Sequence, residues 1–173
     1  MKKLILVNGG VKSGKSEFAE CLARKFEKVS YIALSENIVN DQLWQKKIYE
    51  HKKRRPKHWK TIETTDLLNV LSNENDTLLV DSIGGFVSSN LNMSNEDWNS
   101  LITSLVSLIK AYKERIIIVC EQVGLGLVSE YEIGNKFMDR MGEVLKEITK
   151  QSDENWLTLN GKGIRLDALF EDI

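Results

Sequence analysis

The sequence predicts an α/β fold, a mainly parallel sheet with helices on both faces. Two observations lead there. Five short apolar runs recur along the chain, at Leu4–Val7, Ser30–Ala33, Leu78–Val80, Ile116–Cys120 and Trp156–Leu159, and amphipathic helical patterns lie between them. Strands that are apolar throughout, rather than alternating, are those buried on both faces, as parallel sheets require. The first helical pattern, Glu17–Phe26, sets Phe18, Leu22 and Phe26 four residues apart with Ala19 and Ala23 beside them. A second, Asn40–Lys53, puts Trp44, Ile48 and His51 on one face, and Pro56 stops it by excluding Arg55 from helical geometry. Glu96–Tyr112 follows the capping pair Ser94-Asn95 and carries Leu101, Leu105, Leu108 and Ile109 along one side. Ile133–Lys150 repeats the pattern with Phe137, Met141, Val144, Leu145 and Ile148.

A chain of 173 residues with one proline, no internal repeat and no break in composition reads as a single domain, 1–173. Its 42% hydrophobic and 28% charged residues exclude disordered and fibrous classes. The 24 basic and 25 acidic residues balance to −1, so no global field points to nucleic acid or to a membrane surface. Leu4–Val7 is too short for a signal peptide, and no run nears the roughly 18 apolar residues of a membrane span. A soluble, cytoplasmic protein is expected. Cys21 and Cys120 lie in no metal-ligand spacing and read as small packing residues.

The chemistry sits after the strands, where such sheets bind ligands. Gly9-Gly10-Val11-Lys12-Ser13-Gly14-Lys15-Ser16 matches GxxxxGK[ST] in full, between a predicted strand and a predicted helix. Its glycines let backbone N–H groups converge on a polyphosphate at a helix N-terminus. Lys15 is expected to reach the β- and γ-phosphates and the Ser16 hydroxyl to ligate Mg²⁺, which makes the sheet P-loop NTPase-like. The run Thr77–Asp81 ends in a carboxylate that either holds Mg²⁺ or caps the turn Ser82-Ile83-Gly84-Gly85. The only two histidines, His51 and His58, fall in residues 46–60, which hold eight Lys or Arg against Glu50. A solvated basic face explains such a run, and so does a site for anions. His51 is either a favourable cation at a helix C-terminus or a nucleophile toward phosphorus. Val123-Gly124-Leu125-Gly126 follows the fourth apolar run, and the four tryptophans read as core.

The phosphate loop, Tyr31-Ile32-Ala33-Leu34-Ser35, His51 through Arg55-Pro56-Lys57-His58-Trp59, Thr61-Ile62-Glu63, Leu79-Val80-Asp81, Ser88-Ser89-Asn90-Leu91 and Val123–Gly126 occur in one order. Together they resemble the bifunctional adenosylcobinamide kinase/adenosylcobinamide-phosphate guanylyltransferases of cobalamin synthesis. The resemblance implies phosphorylation of adenosylcobinamide by GTP or ATP, then transfer of GMP from GTP to the corrinoid phosphate through a GMP-histidine. His51, five residues before the proline, matches the guanylylated histidine, and His58 matches a second family histidine. Gly9–Ser16 would hold triphosphate; Ala33, Leu34, Ser35, Lys52, Lys53, Arg54 and Arg55 would contact nucleotide; Glu63 and Asp81 would complete the guanine-nucleotide and metal surroundings. The family forms a homo-oligomer, typically a trimer; no nucleic-acid partner is expected, because acidic residues elsewhere balance the basic run and no reading motif is present. Several positions depart from its pattern. Gln122 stands for a usual Glu, Ser129 for proline, Glu132 for arginine, Ser82 for a frequent cysteine, and Gly84-Gly85 for bulkier residues. The charge reversal at Glu132 is expected to weaken binding of corrinoid phosphate or triphosphate several-fold. Two other readings remain: a plain small-molecule P-loop kinase with no covalent intermediate, and a nucleotide-binding regulatory module.

Overall fold

A computed structural model describes residues 4–34, 55–126 and 128–169. The predicted helix over residues 40–53 lies outside them. The chain runs β1 (Leu4–Gly9), α1 (Lys15–Ala23), β2 (Val29–Ala33), β3 (Lys60–Glu63), α2 (Leu67–Asn73), β4 (Thr77–Asp81) and α3 (Ile83–Ser89). It continues through α4 (Asn95–Ala111), β5 (Ile116–Glu121), α5 (Glu132–Thr149), β6 (Glu154–Leu159), β7 (Lys162–Arg165) and a closing 3₁₀ turn, Leu166–Ala168.

The strands form one sheet in the order β3-β2-β4-β5-β1-β6-β7. All neighbours pair in parallel except β6 and β7. All five predicted strands are present, each extended by one to two residues at one or both ends. Their unbroken apolar character has the expected cause. Leu4 and Leu6 of β1 face one layer, while Ile5 and Val7 face the other. The layers are unequal. Among the described residues α1 packs alone on one face, and α2 to α5 cover the opposite one.

Local chemistry sets the helix ends. Ser94 accepts from the Asp97 N–H at 3.1 Å and starts α4 where the capping pair predicts. Arg140 on α5, buried, donates to the Asn90, Leu91 and Met93 carbonyls at 2.7, 2.9 and 2.7 Å. Its guanidinium also lies 4.6 Å over the Trp98 ring, so one side chain locks the α3–α4 connection onto α5. Trp59 and Trp98 are core, as expected. Cys120 is buried, and burial beside the Glu121 charge pushes its thiol well up. Cys21 corrects the packing expectation, because it is exposed on α1.

Candidate active site

β1 brings Gly9 to the carboxyl edge of the sheet, and residues 9–16 turn from there into α1. Gly14 at φ +94° and Lys12 at φ +56° reverse the backbone twice. Such reversals gather N–H groups on one side as an anion nest, and the N-terminus of α1 beside it favours negative charge. Only glycine takes the Gly14 angle without strain. The Lys15 ammonium rests on this loop, donating to the Gly10 carbonyl at 3.2 Å.

The loop is braced from behind by a hairpin. Thr158 donates its one hydroxyl proton to the Asn8 carbonyl at 3.0 Å, so the Ser13 hydroxyl donates to Thr158 at 2.9 Å. The Gly161 N–H donates to the Ser13 carbonyl at 3.0 Å. Asn160 and Gly161, both at positive φ, make the tight β6–β7 turn that brings it there.

Asp81, at the end of β4, faces the loop. The Ser16 hydroxyl donates to its Oδ1 at 3.3 Å and the Tyr31 hydroxyl to its Oδ2 at 2.8 Å. Burial and the Asp81 charge push the Tyr31 phenol far above its usual range, so it serves as a donor at physiological pH. Among the described residues no group of three or more His, Cys, Asp or Glu could hold a metal. A hydroxyl beside one carboxylate is nonetheless a donor set that suits Mg²⁺, which completes its shell with water and phosphate oxygens. Ser16 and Asp81 therefore fit the ion.

Register aligns further candidates on the same edge. Ala33 pairs with Glu63 on one side and with Asp81 on the other. Leu34 turns its side chain into the core. Arg55 packs on Tyr31: its guanidinium sits 3.2 Å above the ring, with Nε 3.8 Å from the Glu20 carboxylate. His58 lies at the opposite, amino-terminal edge, in an open cleft of about 710 Å³ with Arg24, Lys25, Lys28 and Lys60. Ser35, His51, Lys52, Lys53 and Arg54 fall outside the described residues.

Two site residues escape the sequence reading. Tyr31 is one. Glu121 is the other: it ends β5 beside Gly9, accepts from the Ser82 hydroxyl, and accepts from the Gly84 N–H at 3.1 Å. The carboxylate absent at Gln122 is thus present one residue earlier, and an acid closing an apolar run is the same string that flagged Asp81. Other departures also have local reasons. Ser129 uses an N–H that proline lacks, donating to Asn135 Oδ1 at 3.0 Å. Glu132 opens α5, where an acid favours the helix dipole.

Known proteins resemble this chain over nearly its whole length. The bifunctional adenosylcobalamin biosynthesis protein CobU of Escherichia coli K12 is 29% identical over 94% of this chain and 99% of its own. CobP of Pseudomonas aeruginosa, described in the same words, is 34% identical over 93% of this chain and 94% of its own. Among solved structures, an ATPase of a bacterial type III secretion system matches with TM-score 0.54 at 11% identity. That match covers 91% of this chain and 52% of the ATPase, a likeness of fold alone. The family model for cobinamide kinase / cobinamide phosphate guanyltransferase matches residues 5–166, and the chain belongs to that family.

Proposed function

We propose that this chain is a bifunctional cobalamin-biosynthesis enzyme. It phosphorylates the aminopropanol hydroxyl of adenosylcobinamide with ATP or GTP, then joins GMP from GTP to the resulting phosphate. Gly9–Ser16 hold the triphosphate, and Lys15 stabilises charge developing on its terminal oxygens. Mg²⁺, held by Ser16 and Asp81, supplies charge neutralisation on the phosphates when bound. Ala33, Leu34, Ser35, Lys52, Lys53, Arg54 and Glu63 are assigned to the nucleotide's surroundings, while Arg55 packs on Tyr31.

In the second reaction a neutral His51 imidazole nitrogen attacks the α-phosphorus of GTP. An N–P bond forms, the bond to the bridging oxygen breaks, and pyrophosphate leaves. An oxygen of the corrinoid phosphate then attacks the same phosphorus, and the N–P bond breaks as GMP transfers. The observation that carries this reading is the Ser16–Asp81 pair beside a complete phosphate loop, in a chain of this family. Assembly as a homo-oligomer, typically a trimer, fits the exposed apolar side chains Leu125, Val128, Tyr131 and Ile133.

The test uses the protein and a His51→Ala variant with Mg²⁺ and GTP labelled on the α-phosphate. The expected result is acid-labile, alkali-stable label on the protein, absent from the variant. No label with triphosphate still bound would leave a plain small-molecule kinase.

A further inference from the structure

Tyr31 sits in mid-strand, level with Leu79 of β4, yet its hydroxyl reaches forward to the end of β4. Tyr31 is 2% exposed, and a phenol so placed needs an acceptor. That acceptor is Asp81 Oδ2, while Oδ1 takes the Ser16 hydroxyl. Each oxygen of the carboxylate thus has its own donor, and the second donor is no part of the phosphate-loop motif. Arg55 covers the Tyr31 ring at 3.2 Å with a side chain only 8% exposed, and the buried Glu20 of α1 offsets its charge from 3.8 Å. Three parts of the chain therefore converge on the orientation of one carboxylate: α1, β2 and the turn before β3.

We propose that Tyr31 is a positioning residue for the Asp81 carboxylate, and that Arg55, seated on its ring, holds Tyr31 in that role. The proposal rests on the reading of Asp81 as a Mg²⁺ holder and adds the device that aims it. With Oδ2 tied to Tyr31, the plane of the carboxylate is set and Oδ1 stays beside Ser16. Without the phenol, the carboxylate rotates away and the metal must reorganise it on binding. A tyrosine that merely satisfies its own hydroxyl predicts otherwise: its loss lowers stability and leaves metal dependence unchanged.

The experiment measures binding of a fluorescent GTP analogue to the purified chain, in chelator and across a Mg²⁺ titration. The proteins are wild type, Tyr31→Phe, Arg55→Met and Asp81→Asn, with thermal unfolding recorded for each. Tyr31→Phe removes one oxygen and keeps the packed ring. It is expected to bind nucleotide in chelator within twofold of wild type, but to need about tenfold more Mg²⁺ for half-maximal effect, as is usual when a metal ligand loses its supporting hydrogen bond. Arg55→Met is expected to shift the Mg²⁺ requirement the same way and to a smaller extent. A wild-type Mg²⁺ requirement in a folded Tyr31→Phe, with only the melting temperature lowered, overturns the proposal. Weakened binding of Arg55→Met in chelator, at unchanged Mg²⁺ requirement, assigns Arg55 to nucleotide and removes it from this device. Should Tyr31→Phe fail to fold, Arg55→Met alone decides, through its Mg²⁺ requirement. The underlying reading fails separately: wild-type binding would ignore Mg²⁺, or Asp81→Asn would titrate like wild type.

Discussion

An added Cβ at Gly85 would fall inside the van der Waals envelope of the Leu34 carbonyl oxygen, where α3 packs on the end of β2. The bulkier residue that the family resemblance leads one to expect has no room there. Gly85→Ala must push α3 outward or bend the chain leaving β2, an overpacking cost of about 1–3 kcal/mol. Gly142, on the exposed side of α5, makes the contrast, because a Cβ there meets nothing within 4 Å. Gly142→Ala is expected to stabilise by about 0.5–1 kcal/mol through helix propensity. Urea unfolding of the two variants checks the pair. Equal effects of one sign would mean that propensity, not the contact with Leu34, governs position 85. The same local logic made the phosphate loop legible, since eight consecutive residues carry its whole chemistry. Tyr31 and Glu121 were not legible in this way. Their partners lie 50 and 39 residues away, and only strand register brings them together.

Among the elements, the strands buried on both faces announce themselves because every position must be apolar. β3 does not, for its Lys60-Thr61-Ile62-Glu63 has one apolar side chain and lies at the sheet edge. α2 and α3 have seven residues each, too few for a helical period to show against chance. The last hairpin went unread although Asn160-Gly161 is a strong turn pair, because β7 beside it is polar. What fixes that hairpin is Asp167, which accepts from the Asn155 N–H at 3.0 Å, Asn155 Nδ2 at 2.7 Å and Arg165 Nε at 3.1 Å. Partial burial works against the Asp167 charge, but the bonds from Asn155 and Arg165 outweigh it and hold its pKa below the usual carboxylate value. A depressed folded-state pKa adds stability that is present above the unfolded value of about 3.9 and is lost as pH falls through the folded one. The stability difference between wild type and Asp167→Asn should therefore stay level from about pH 7 to 5 and shrink below about pH 4. Urea midpoints across that range test it, and a difference independent of pH would assign Asp167 a role through hydrogen-bond geometry alone.

Across the whole molecule, the sheet order places β1 between β5 and β6, so the phosphate loop hangs from a central strand held on both sides. Parallel order was expected from the apolar runs. Among the described residues, the single helix on one face and the four on the other were not, because periodicity shows that a helix has an inner side and not which layer it joins. A loop so rooted couples ligand binding to global unfolding, since releasing it requires β1 to leave the sheet. Nucleotide at about 100 times its Kd then adds about 2.7 kcal/mol. For a chain of this size that corresponds to a rise in melting temperature of about 5–11 °C. Lys15→Ala separates binding from structure. In the free protein Lys15 makes one exposed hydrogen bond to the Gly10 carbonyl, so its loss should move the unliganded melting temperature by no more than about 2 °C. The rise with Mg²⁺-GTP should fall to a small fraction of the wild-type value, because the charge proposed to meet the phosphates is gone. Differential scanning fluorimetry with and without nucleotide resolves both quantities. An undiminished rise in Lys15→Ala would place the triphosphate elsewhere on the molecule and detach the loop from the proposed chemistry.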